Sequence, residues 1–256
     1  MRATTIFRDW AGMARLPNVP TVWSNVFTAW VLAGGLFAGS EMGRFALAVA
    51  GATMMYMGGT VLNDAKDVEF DRQHRPERPI PAGRVSRTLA KWVGWGLGLG
   101  GLGAFALTRA NMMGNLGAGF SGWFILYHFS AAFSAMALWL CILAYTWVHK
   151  KSGMLGPLLM GFCRVLLGVV VAATAEGVLG PVIPWVTALW VYIVAISVIA
   201  RGEAKVWRRG AVGVMLAGLP LVDAVFLVAG QHYAEVLVPV ACMALAIGLR
   251  KVAEAT

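Results

Sequence analysis

The chain has 256 residues, of which 59% are hydrophobic and only 13% charged, and its mean hydropathy is +0.71. Soluble domains average about 45–50% apolar and about 25% charged residues, so a soluble enzyme is excluded and a membrane protein is indicated. A net charge of +9 raises nucleic acid as a partner, but no recognition module or aromatic-studded basic patch accompanies it.

In chain order, residues 1–16 put Ile6, Phe7, Trp10 and Met13 on one side of a helical wheel, with Arg8, Asp9 and Arg15 elsewhere, which predicts an interfacial amphipathic helix. Pro17, Asn18 and Pro20 lead into the first of eight apolar segments, near residues 21–38, 45–62, 89–107, 127–148, 155–175, 182–200, 211–229 and 234–249. They are close to the length that crosses a bilayer as a helix and too uniformly apolar for barrel strands. Lipid offers backbone groups no partner, so the predicted fold class is all-α: a polytopic transmembrane bundle of about eight helices, with residues 1–256 forming one domain. The first apolar run has no small-residue cleavage site behind it and is expected to be retained.

The basic residues alternate by loop. Arg2, Arg8 and Arg15 precede the first span, seven more from Lys66 to Lys91 lie between the second and third, and Lys150 and Lys151 follow the fourth. Arg201, Lys205, Arg208 and Arg209 join the sixth and seventh, and Arg250 and Lys251 follow the eighth, so 18 of 21 fall on one side, with Arg44 and Arg109 opposite. By the positive-inside rule both termini and the rich loops are expected in the cytoplasm, as in a prokaryotic plasma membrane protein. Cys141, Cys163 and Cys242 lie in apolar runs without CxxC spacing and suggest neither a disulfide framework nor a zinc site.

The end of the second span reads Asn63-Asp64-Ala65-Lys66-Asp67-Val68-Glu69-Phe70-Asp71. At 100° per residue from Asn63, Asp67, Asp71 and Asp64 fall at about 40°, 80° and 100°, so four oxygen-bearing side chains share one helix face, while Glu69 at about 240° does not. Carboxylates this close repel unless a cation stands between them, and hard oxygen ligands suit Mg²⁺, which also takes phosphate oxygens. Arg72, Arg75, Arg78, Arg84 and Arg87 follow, the residue type that pairs bidentately with phosphate. The acidic face and the arginines together point to a magnesium diphosphate.

This NDxxDxxxD stretch, followed by Arg75-Pro76-Glu77-Arg78-Pro79-Ile80-Pro81-Ala82-Gly83-Arg84-Val85-Ser86, resembles the first signature of the UbiA superfamily of intramembrane prenyltransferases. Tyr145 with Lys150 and Lys151 is similar to that family's tyrosine and lysine segment after its fourth helix, and Arg15 to Pro20 to the start of its first. The resemblance implies Mg²⁺-dependent transfer of a prenyl group from an isoprenyl diphosphate to a lipophilic or cyclic, often aromatic, acceptor inside a helical chamber within the membrane lipid. It implies that Asn63, Asp64, Asp67 and Asp71 hold the metal, and that Asp67, Arg78, Tyr145 and Lys150 are catalytic. Asn63, Arg75, Arg164, Glu203 and Lys205 are then expected at the diphosphate.

Two features depart from the family pattern. Its second aspartate-rich signature, commonly DxxxD, is replaced by Glu203 with Trp207 four residues later, amid Lys205, Arg208 and Arg209. Eight spans are counted where nine are usual, and the combination resembles a divergent, EboC-like branch. The rival reading is a prenyl-lipid binding or transport protein on the same fold, for which the missing acid is the argument. A phosphatidyltransferase would need a DG-xx-AR type stretch, which is absent.

Charges inside spans are costly unless paired or hydrated, so Arg164 and Asp223 are expected to face the interior, and Asp223 to pair with Arg164 or touch the acceptor. Glu176 and Glu235 are expected at the outer interface. Gly98-Leu99-Gly100-Gly101-Leu102-Gly103 matches a dinucleotide fingerprint but follows no strand; its glycines predict close helix packing. Trp123, Trp147 and Trp185 are expected in interfacial belts.

Overall fold

The structure is a computed structural model describing residues 2–108, 130–148, 153–201 and 213–255. The described residues are helical, with no strand among them. In chain order the helices are α1 (Arg2–Met13), α2 (Val19–Leu32), α3 (Ser40–Lys66), α4 (Val68–His74), α5 (Arg87–Leu107), α6 (Ser130–Val148), α7 (Leu155–Thr174), α8 (Val182–Arg201), α9 (Leu219–Ala229) and α10 (Leu237–Ala255). Every predicted apolar segment falls on one of them. Four combine the length and hydropathy of a membrane span: α3, α6, α7 and Val182–Ala200 of α8.

The helix ends differ from the predicted ones for local reasons. Gly34 adopts a left-handed φ of 88°, which stops α2 at Leu32 rather than near residue 38. Conversely α3 runs past the predicted limits at both ends, to 27 residues, because Asn63 and Asp64 continue its backbone ladder. Trp92, Leu99, Phe133, Leu140, Val191 and Val225 point outward. A surface so apolar fits lipid, and the chain is an integral membrane protein.

The glycines of α5 decide where the bundle is tightest. A Cβ on Gly58 of α3 would stand 2.7 Å from the carbonyl oxygen of Gly94, and one on Gly101 of α5 would stand 2.8 Å from that of Gly51. Backbone therefore meets backbone along the α3–α5 seam, as the glycine spacing predicts. At one end of the bundle Arg44 pairs with Glu176 and, at 3.1 Å, with Glu41, while the amide of Val178 donates to the carbonyl of Ala33. These contacts fix the end of the molecule opposite Asp64 to Asp71.

Candidate functional site

The aspartate segment stays nearly helical where α3 meets α4. Asp67 caps the junction, and the amides of Asp67, Asp71 and Arg75 donate to carbonyls four residues back at 2.9, 2.9 and 2.7 Å. The 100° arithmetic therefore carries through the break. Asp64, Asp67 and Asp71 are all buried. Glu69 is exposed and meets Arg72 at 2.8 Å and Arg87 at 3.4 Å, off the acidic face as its angle predicts.

The five arginines after the motif divide by contact. Arg78 reaches the acids: its guanidinium donates to Asp71 at 2.7 Å and stands 3.5 Å from Asp64. Arg87 donates to the carbonyl of Ala65 at 2.9 Å, closing the end of α3. Arg84 holds Asp9 of α1 through two hydrogen bonds at 2.9 and 3.0 Å, and this partner lifts its guanidinium above the usual arginine value. Arg72 serves Glu69, and Arg75 is exposed at the end of α4.

Arg78 is placed by the loop it starts. Ile80 and Val85 are buried in a small apolar cluster with Met13, Val61, Ala65, Val68 and Ala90, against which Trp10 packs. Gly83 supplies the left-handed φ of 74° that turns the chain back, and Ser86 caps α5 by accepting from the amide of Leu89 at 3.1 Å. The amphipathic α1 is thus divided: Trp10 and Met13 pack on the site loop, whereas Ile6 and Phe7 remain exposed for the interface.

Sequence reasoning missed Arg15, whose guanidinium lies 3.1 Å from Asp64 across 49 residues of chain. Its left-handed φ of 53°, which a side chain rarely adopts, is the local mark of that placement, and no periodic signal foretold it. Tyr145 is half-buried near the end of α6; two residues on, Trp147 lies under the Lys66 ammonium at 3.7 Å, so the end of α6 abuts that of α3. Arg109, Trp123, Lys150, Lys151, Glu203, Lys205, Trp207, Arg208 and Arg209 lie outside the described residues.

Arg164 is not beside the aspartates. Its guanidinium carbon is 5.9 Å from the centroid of the Tyr56 ring. Tyr56 is seven residues before Asn63 on the same face of α3, about 10 Å along the axis toward the bilayer centre. Asp223 is fully buried, as expected, and connects to Arg164 through Asn25. Trp185 is a correction: it is not an interfacial tryptophan but wholly buried, because its indole N–H donates to Asp223 at 2.9 Å.

Among the described residues no three His, Cys, Asp or Glu side chains converge to hold a metal ion; Arg78 pairs with Asp71 and Asp64, and Arg15 with Asp64. The donor set nevertheless suits a hard cation. The acids are oxygen-only and buried, and the buried Oδ1 of Asn63 has no hydrogen-bond partner. A buried acceptor left unpaired is costly and marks a place where a donor or cation fits.

Relatives include the digeranylgeranylglyceryl phosphate synthases of Methanoculleus marisnigri, 49% identical over 51 residues, and Methanopyrus kandleri, 39% identical over 84. The first match covers 20% of this chain and 18% of the relative, the second 32% and 30%. That of Korarchaeum cryptofilum is 32% identical over 116 residues, 45% of this chain and 36% of the relative. The matched stretches thus span between about a sixth and about a third of these relatives' lengths. A solved structure of a membrane digeranylgeranylglyceryl phosphate synthase shares the fold with a TM-score of 0.61 at 14% identity, over 97% of this chain and 93% of the other. Because the model of the UbiA prenyltransferase family matches residues 18–255, nearly the whole helical bundle, the chain belongs to that family.

Proposed function

We propose that the protein is a membrane prenyltransferase, which moves a prenyl group from an isoprenyl diphosphate to a lipophilic acceptor within a single domain of residues 1–256. The observation that carries this reading is the oxygen face of the buried Asp64, Asp67 and Asp71 and the buried Oδ1 of half-exposed Asn63, with Arg78 and Arg15 beside it. Asn63, Asp64, Asp67 and Asp71 would hold Mg²⁺, and the metal supplies neutralisation of the diphosphate's charge.

The remaining steps belong to the chain's own side chains. Arg78, already between two acids, offers N–H donors to diphosphate oxygens; Tyr145, near the end of α6, and Lys150 are the further side chains we assign to the diphosphate. Arg75, Glu203 and Lys205 are assigned to diphosphate binding as charged residues of the same basic loops. Breaking the allylic carbon–oxygen bond releases pyrophosphate and leaves an electron-poor carbon, so donors fixed around the leaving group lower the barrier. The apolar interior then keeps water from the carbon until the acceptor's nucleophile takes it. The relatives' names favour an acceptor with a glyceryl phosphate head over an aromatic one as the first to test. The charge asymmetry of the loops supports an aspartate end facing the cytoplasm of a prokaryotic plasma membrane.

Pyrophosphate release from geranylgeranyl diphosphate plus an acceptor extract, measured with Mg²⁺ and with EDTA, tests this reading. Release that needs both Mg²⁺ and acceptor supports transfer. Prenyl diphosphate binding with no release under any acceptor overturns it in favour of carriage.

A further inference from the structure

A second polar unit crosses the bundle interior, clear of the aspartates, and joins four helices. Asp223 of α9 accepts from the hydroxyl of Ser24, from Nδ2 of Asn25 at 3.0 and 2.9 Å, and from the indole N–H of Trp185 on α8 at 2.9 Å. Asn25 of α2 turns its Oδ1 the other way, where it accepts from the guanidinium of Arg164 on α7. That guanidinium also donates to the hydroxyl and carbonyl of Thr21 at 3.3 and 3.4 Å. Its neighbour on the α3 side is the Tyr56 ring.

The order of these groups carries directional information. A carboxylate only accepts hydrogen bonds and a guanidinium only donates them, whereas a primary amide does each at a different atom. An asparagine between the two satisfies both in one orientation alone, with NH₂ toward the acid and oxygen toward the arginine. The charge on Asp223 therefore sets the Asn25 amide, and the amide sets Arg164. We infer that Asp223 is a positioning residue, which acts through Asn25 to hold the Arg164 guanidinium beside the Tyr56 ring for an anionic group of the substrate. Simple helix gluing needs no buried charge, since neutral amides and hydroxyls join membrane helices as well. An ionisable side chain at this depth is costly and marks a functional site.

The inference rests on the diphosphate reading for its ligand, but not for the geometry of Arg164, and its test separates the two. Full-length wild type, Asp223→Asn, Asn25→Asp and the double variant Asn25→Asp/Asp223→Asn are purified, and all are checked for folding by thermal unfolding. One readout is phenylglyoxal labelling of Arg164 by mass spectrometry; the other is affinity for geranylgeranyl thiolodiphosphate with Mg²⁺. Asp223→Asn sets one NH₂ against another, and relief by an Asn25 flip points NH₂ at the guanidinium. Labelling then rises severalfold, and affinity falls about tenfold, the scale of one charged hydrogen bond. The double variant returns an acceptor to Arg164 and a donor to position 223, so both readouts recover to within about threefold of wild type. A role in folding alone predicts the opposite, a double variant no better than either single one. Labelling unchanged in Asp223→Asn, or unrestored in the double variant, overturns the inference whatever the analogue does. Labelling that follows the predicted pattern in a protein that does not bind the analogue upholds the positioning role and removes the diphosphate reading.

Discussion

Arg78→Ala is the substitution whose consequence the geometry fixes most closely. The guanidinium has 21% of its side chain exposed, against 2% for Asp71 and 9% for Asp64, so its removal strands acids that water barely reaches. Breaking a buried pair from one side costs about 3–5 kcal/mol. Asp64 keeps Arg15 at 3.1 Å, and the lost cation was itself partly hydrated, which brings the expected cost to about 2–3 kcal/mol. In a chain of this length that lowers the melting temperature by roughly 5–10 °C. The 11 tryptophans give the fluorescence signal to follow it in detergent. Because the penalty is a stranded charge, Asp71→Asn in the same chain should recover at least about half of the loss. Mg²⁺ should stabilise Arg78→Ala by more than it stabilises wild type, since the metal then replaces the missing cation. An unchanged melting temperature, or a double variant no more stable than Arg78→Ala, would refute the reasoning.

Other expected outcomes follow from the packing and the charges. Gly58→Ala places a methyl 2.7 Å from a backbone carbonyl and should cost about 1–3 kcal/mol, whereas Gly96→Ala, with nothing within 4 Å, should be neutral or stabilising by up to about 1 kcal/mol; thermal unfolding compares the two. Gly83→Ala meets no atom either, yet its φ of 74° should cost about 1 kcal/mol and loosen the loop that carries Arg78. For the Asp9–Arg84 pair the sign follows from the raised guanidinium value: a base held above its unfolded value stabilises the fold at lower pH and loses this only as pH rises through the folded value. The pair's contribution should thus be flat between about pH 7 and about pH 9, and added salt should weaken it by at most about 1 kcal/mol. An Asp9→Ala comparison of melting curves checks both, and a steep loss toward pH 9 in wild type alone would contradict the assignment.

Much of this molecule is written in local spacing. Among the described residues the apolar runs located α2, α3 and α5 to α10, and the aspartate face was readable because the i to i−4 ladder continues through Asp67, keeping the wheel intact. The Gly98 to Gly103 stretch declared itself a packing surface by lacking a preceding strand. What was not legible depends on contacts between distant segments. Nothing near Arg15 announces Asp64, 49 residues away, and the spacing of the five arginines does not separate Arg78, which meets the acids, from Arg84, which holds α1; the family resemblance alone singled out Arg78. Trp185 was misplaced for the same reason: its position in the segment suggested a belt, but its indole N–H has a carboxylate partner in the interior. Asn25, the link between Asp223 and Arg164, is one polar residue in an apolar span, and only the tertiary arrangement gives it a role.

Binding of a prenyl diphosphate to the aspartate face through Mg²⁺ is measured by equilibrium titration of geranylgeranyl thiolodiphosphate into the purified full-length protein. Titrations with Mg²⁺ and with EDTA are compared for wild type and Asp67→Asn. A metal-bridged site gives binding that requires Mg²⁺ and falls at least about tenfold in Asp67→Asn at unchanged thermal stability. Binding of folded wild-type protein that is absent, or equal in Mg²⁺ and EDTA and indifferent to Asp67→Asn, would contradict it.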